Sequence, residues 1–128
     1  MRFLLDTHLL LWVAERPERL SGTARRLLSN SRNELFFSAA SLWEVAIKNN
    51  LGRKDFRADP RELRRLLLEN GYNEISVTSE HAVNTDALPA LHKDPFDRLL
   101  LAQAITEGMT LLTSDQRLAS YPGPVRKV

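Results

Sequence analysis

Short apolar runs alternate with helical patterns from one end of this chain to the other, and few folds accommodate that alternation. Arg2–Asp6 is an apolar run that ends at a carboxylate and reads as a buried strand. A short helix is expected over Leu9–Ala14. Ser21 caps a second over Gly22–Ser31, with Arg25 and Arg26 on its exposed face. Leu35–Ser38 reads as a strand and Ser41–Asn50 as a helix, with Gly52 as its stop signal. Asp59-Pro60 opens a helix, with proline at the first helical position, that runs to Asn70-Gly71. Glu74–Val77 follows as a strand and Ser79–Leu88 as a helix. Asp94-Pro95 then opens a long helix closed by Gly108. Thr110–Thr113 is a strand, and Val125–Lys127 is expected as a last, weak edge strand.

Apolar strands separated by helices pair in parallel, and right-handed crossovers place helices on both faces. The expected fold class is α/β, a three-layer α/β/α arrangement around a mainly parallel sheet of four to five strands. Ligands bind such sheets beyond the carboxyl ends of the strands. A length of 128 residues suits one domain over 1–128. No repeat, linker or low-complexity segment interrupts it.

Composition narrows the class further. The chain is 43% hydrophobic and 27% charged, an ordinary globular balance. No apolar run approaches the roughly 18 residues of a membrane span, so no membrane partner is expected. The start lacks the shape of a signal peptide, since Asp6, Thr7 and His8 break its apolar stretch. The absence of cysteine excludes disulfides and thiolate metal sites and is compatible with a cytoplasmic protein. The net charge of +2 is small, but residues 1–65 are net basic and residues 66–128 net acidic. That division suits a polyanion on one surface and cations in a pocket; it also suits solvated helix faces.

Four acids fall where the topology would gather them. Asp6 ends the first strand. Glu44 lies in the first turn of the helix after Leu35–Ser38. Asp97 lies in the first turn after Asp94-Pro95, and Asp115 sits two residues past Thr110–Thr113. In a parallel sheet these positions share one edge. Clustered carboxylates repel one another unless a cation intervenes, and Mg²⁺ or Mn²⁺ prefers oxygen ligands. Such ions activate water and stabilise a leaving oxygen in phosphodiester hydrolysis.

Each acid has a structural reading as well. Asp6 and Asp115 read as helix caps. Ser41-Leu42-Trp43-Glu44 matches a capping box, and Glu44 pairs with Lys48 at i,i+4. Asp94 reads as an N-cap and Asp97 as an acid favoured by the helix dipole. Periodicity alone leaves both readings open.

These residues resemble a known family. Leu4-Leu5-Asp6-Thr7-His8, Ser38 through Lys48, Leu91 through Ala104, and Leu111-Leu112-Thr113-Ser114-Asp115 resemble, in order, the acidic motifs of PIN domains of the VapC toxin type. The match spans residues 3 to 115 and is weakest over Leu51–Asn70. The resemblance implies a metal-dependent endoribonuclease, the toxin of a type II toxin–antitoxin pair. Asp6, Glu44, Asp97 and Asp115 would line a pocket for Mg²⁺ or Mn²⁺. Asp6 and Asp97 would be the leading ligands, Asp115 a ligand directly or through water, and Glu44 a ligand or an orienter of bound water. It further implies an RNA substrate, a VapB-like antitoxin and a homodimer.

Around the acids, the Thr113 hydroxyl is expected to hold an acid or a phosphate. Thr7 is expected to support the site or bind substrate, and Arg98 to contact phosphate or brace a carboxylate. Asp94 is expected as a cap. His8, Trp12 and Trp43 are expected in packing roles, and His81 and His92 show no zinc-site spacing. The competing readings are weaker. A receiver-type domain needs paired acids after the first strand, and a haloacid-dehalogenase-type phosphatase needs a second Asp where His8 stands. A non-catalytic module that binds RNA or protein is the third.

Overall fold

The computed structural model describes residues 1–52 and 58–128. Five strands form one sheet: β1 (Arg2–Leu5), β2 (Glu34–Ser38), β3 (Asn73–Ile75), β4 (Thr110–Thr113) and β5 (Val125–Lys127). Their order is β3-β2-β1-β4-β5 and every pairing is parallel. The helices are α1 (Thr7–Glu15), α2 (Gly22–Ser29), α3 (Ala39–Asn50), α4 (Pro60–Glu69), α5 (Ser79–Asn84), α6 (Pro95–Glu107) and α7 (Gln116–Ala119). The alternation in the sequence therefore resolves into the expected three layers.

Alternate residues of each strand feed opposite cores, as strand geometry requires. Phe3, Leu5, Phe37 and Leu112 pack on one face with α1, α3 and α4, through Leu9, Leu10, Val45, Leu63 and Leu67. Leu4, Phe36 and Leu111 pack on the other with α6 and α7, through Leu100, Leu101, Ala104 and Leu118. With both faces covered, the central strands read as continuous apolar runs.

The chain winds outward from β1 through β2 to β3, then returns to β4 on the far side of β1. The topological switch point thus lies between β1 and β4, and the crevice in which such sheets bind ligands is expected beyond those strand ends. Paired register aligns Leu5 with Leu112, and the Asp6 amide donates to Leu112 O at 3.0 Å. Asp6 and Thr113 consequently emerge side by side.

Several elements differ from the sequence expectation at their ends. The expected helix Ser79–Leu88 is α5 followed by a separate 3₁₀ turn over Thr85–Ala87. Helix α3 starts at Ala39, not Ser41, because the Ser38 hydroxyl caps it by accepting from Ala40 N at 3.0 Å. The capping-box reading of Ser41 and Glu44 is therefore incorrect. Ser41 lies inside the first turn, buried, and leaves Glu44 available to the crevice.

A candidate metal-binding acidic site

Two of the acids do local structural work while facing the crevice. Asp6 caps α1, its Oδ1 accepting from Leu9 N at 2.9 Å, and its Oδ2 accepts from the Thr113 hydroxyl at 2.5 Å. Thr113 Oγ1 in turn accepts from Asp115 N at 2.9 Å. Asp115 caps α7 through Arg117 N and Leu118 N. One buried hydroxyl on β4 thus fixes a side chain from β1 and the backbone that leads into α7. It holds an acid, one of the two roles expected of it.

Glu44 is 2% exposed and both of its oxygens are met. Oε1 accepts from Thr7 Oγ1 at 2.6 Å, and Oε2 accepts from Lys48 Nζ at 2.7 Å. Thr7 Oγ1 also lies 2.9 Å from Ser41 Oγ. Buried Thr7 therefore ties α1 to α3 and orients Glu44. Lys48 reaches further, to 3.8 Å from Asp94 Oδ2. Asp94 caps α6 through Phe96 N and Asp97 N, the role the sequence indicated.

Asp97 is where the charges concentrate. Its pKa is pushed up to about 8, first by burial and then by Asp94, Asp6, Glu44 and Asp115. All four predicted acids thus lie within electrostatic reach, although they come from β1, α3, α6 and the β4–α7 turn. Burial likewise pushes Asp6 above the usual carboxylate range, against the Thr113 hydrogen bond that favours its charge. A cluster that suppresses its own ionisation is one that a divalent cation would relieve.

His92, which shows no zinc-site spacing in the sequence, stands beside the acids. Its Nε2 lies 2.9 Å from Asp97 Oδ2 and 3.6 Å from Asp115 Oδ2. Donor atoms of His92, Asp97 and Asp115 all fall within 4.8 Å of one another, a set that fits a shared metal ion. A zinc-type spacing rule looks for paired ligands, and a lone histidine before a helix cap gives no such signal. His81, by contrast, sits in a capping box with Thr78 at the start of α5, where its Nδ1 accepts from Thr78 N at 3.0 Å.

Three expectations need correction. Arg98 braces no carboxylate among the described residues: its guanidinium donates to Pro89 O, Thr85 O and Leu88 O, and to Tyr121 Oη at 2.9 Å. Tyr121 Oη accepts from His92 N at 2.9 Å, so Arg98 steadies the loop that presents His92. A guanidinium with four nearby oxygen acceptors satisfies itself there more fully than at a single carboxylate. Trp43 is not core: it is 61% exposed, and its ring meets Phe96 edge-on at 5.5 Å. The buried Glu44 next to it on the helix turns it outward. His8 is exposed as well, and its charge favours ionised Asp6. Trp12 does pack against the core.

Comparison with known proteins finds relatives in sequence and in fold. The PIN domain profile matches residues 3–124. The chain is 33% identical to Ribonuclease VapC22 of Mycobacterium tuberculosis over 122 residues, covering 94% of this chain and 92% of that one. Its fold is similar to VapBC2 of Rickettsia felis bound to a promoter DNA fragment, with a TM-score of 0.72, 16% identity and coverage of 100% and 99%. It is also similar to DNA-bound VapBC from Salmonella typhimurium, with a TM-score of 0.66, 13% identity and coverage of 99% and 98%.

Proposed function

Because this chain belongs to the PIN domain family, we propose that it is a metal-dependent endoribonuclease, the toxin of a type II toxin–antitoxin pair. The observation that carries this reading is the convergence of Asp6, Glu44, Asp97 and Asp115 at one sheet edge, with Asp97 pushed up to about 8 first by burial and then by Asp94 and the other three acids. The curated relative, a ribonuclease matched over nearly its full length, supports the same reading.

Asp97 and Asp115 would hold Mg²⁺ or Mn²⁺, with Asp6 and His92 at the same edge. The ion would supply an activated water and offset charge on the leaving oxygen during phosphodiester hydrolysis. Thr113 holds the Asp6 carboxylate in place. Thr7 and Lys48 hold Glu44, whose charge raises the proton affinity of Asp97. Near neutral pH Asp97 retains a proton until a cation replaces it. Burial of these groups strengthens each electrostatic contact.

The partners follow from the same reading: an RNA substrate, a VapB-like antitoxin that restrains the enzyme, and a second copy in a homodimer. The cytoplasm is the setting in which such a toxin would meet RNA. No helix among the described residues is long and apolar enough to cross a membrane.

The test incubates the protein with labelled single-stranded and structured RNA and with DNA, in Mg²⁺, Mn²⁺ or EDTA, beside Asp6→Ala and Asp97→Ala. RNA cleavage that needs metal and is lost in both folded variants is the expected result. Cleavage indifferent to EDTA and to both substitutions would remove the site from the chemistry. RNA binding without cleavage under any condition would favour the non-catalytic module.

A further inference from the structure

The two sides of the acidic site meet their negative charge differently. On the α3 side, the Lys48 ammonium lies 2.7 Å from Glu44 Oε2 and 3.8 Å from Asp94 Oδ2. Those carboxylates belong to different helices, and the lysine side chain between them is only 16% exposed. The ammonium also lies 5.9 Å from the centre of the Phe96 ring, whose face favours a cation. With Thr7 on its other oxygen, Glu44 has a protein donor for each oxygen before any ion arrives.

On the α6–α7 side no such cation stands among the described residues. Among the described residues, no lysine or arginine forms an ion pair with Asp97 or Asp115. Their ion-pair partner is His92, at 2.9 and 3.6 Å. Their donor atoms and that of His92 are close enough to share one ion. A lysine is a compact point charge on a flexible stem, suited to a position between two carboxylates.

We infer that Lys48 supplies from within the chain the charge of a second cation, so that the site takes one divalent ion, on the Asp97–Asp115 side. Glu44 then acts as a positioning residue, fixed by Thr7 and Lys48, and Lys48 links α3 to the capped start of α6. This rests on the metal-dependent reading above. It adds to that reading the number of ions and the group that limits it.

The test counts bound Mn²⁺ in the full chain by equilibrium dialysis, with free Mn²⁺ read from its electron paramagnetic resonance signal. Wild type, Lys48→Arg and Lys48→Met are compared, and circular dichroism checks that each is folded. Wild type and Lys48→Arg are expected to bind one ion per chain. Lys48→Met leaves Glu44 and Asp94 without their counter-charge and is expected to take a second. Two ions per wild-type chain would overturn the inference even if Lys48→Met does not fold. So would a folded Lys48→Met that still binds one ion. Either result leaves the ribonuclease reading standing, whereas a folded wild-type chain that binds no Mn²⁺ overturns that reading too.

Discussion

The Thr113 hydroxyl donates to Asp6 Oδ2 at 2.5 Å, joining residues 107 positions apart at the ends of neighbouring strands. Both side chains are buried, so neither finds water in exchange. Replacing Thr113 by valine keeps the shape and removes the donor. A hydrogen bond to a charged group contributes roughly 1.5–3 kcal/mol. Thr113→Val is expected to lose about that much in urea unfolding and to cut RNA cleavage, whereas Thr113→Ser retains most of both. Equal stability of Thr113→Val and wild type would show that the contact contributes nothing.

Asp97 sets a pH dependence of stability in the metal-free protein. Its folded pKa of about 8 lies well above the ordinary carboxylate value of 3.8. A raised folded pKa means that the unfolded chain releases this proton first as pH rises. The contribution is therefore full below about pH 4 and lost progressively up to about pH 8. The melting temperature in EDTA is expected to fall from pH 5 to pH 8, and Asp97→Asn to flatten that slope. Adding Mn²⁺ at pH 8 restores stability by mass action, by about 2.7 kcal/mol at a hundredfold excess over the dissociation constant. A slope unchanged in Asp97→Asn would assign the effect to other groups.

Arg98 serves the fold of one loop. Lysine cannot reproduce a guanidinium that donates to Pro89, Thr85, Leu88 and Tyr121 together. Arg98→Lys is expected to cost about 1 kcal/mol, the range for ordinary hydrogen bonds, since its acceptors are exposed or half-buried. Amide hydrogen exchange is expected to quicken over residues 85–92 in particular. Uniform exchange across the chain would contradict a local clamp.

Trp43 and Trp12 offer an internal comparison. Trp43 is 61% exposed, while Trp12 packs against the core. Acrylamide is expected to quench Trp12→Phe, which retains Trp43, far more strongly than Trp43→Phe. Trp43→Ala is expected to change stability by less than about 1 kcal/mol, as surface substitutions mostly do. Equal quenching of the two single-tryptophan variants would place Trp43 in a covered position.

Much of the site was legible because it depends on topology. Asp6, Asp97 and Asp115 each stand at a strand's carboxyl end or a helix start, positions that a parallel sheet brings to one edge whatever the side chains do, whereas Glu44, expected in the first turn of its helix, lies in the second turn of α3. The capping roles of Asp6, Asp94 and Asp115 were also readable, since a cap bonds within two or three residues. His92 was not legible. It meets Asp97 from a loop whose backbone is held by Tyr121, 29 residues later. The partners of Arg98 were hidden for a related reason, since three of them are backbone carbonyls and carry no side-chain signature.

By itself, the amino-acid sequence determined the alternating elements, the covered parallel sheet and the edge where the acids emerge. Those follow from period-2 and period-3.6 patterns, which are local properties of the chain. Only the tertiary structure decided how each charge is met: Glu44 by Thr7 and Lys48, Asp6 by Thr113, Asp97 by His92. It also decided that Ser38 rather than Ser41 starts α3 and that Trp43 faces solvent. These outcomes turn on strand register and on burial. A carboxylate's proton affinity depends on the groups packed within a few ångströms of it, and no spacing along the chain records them.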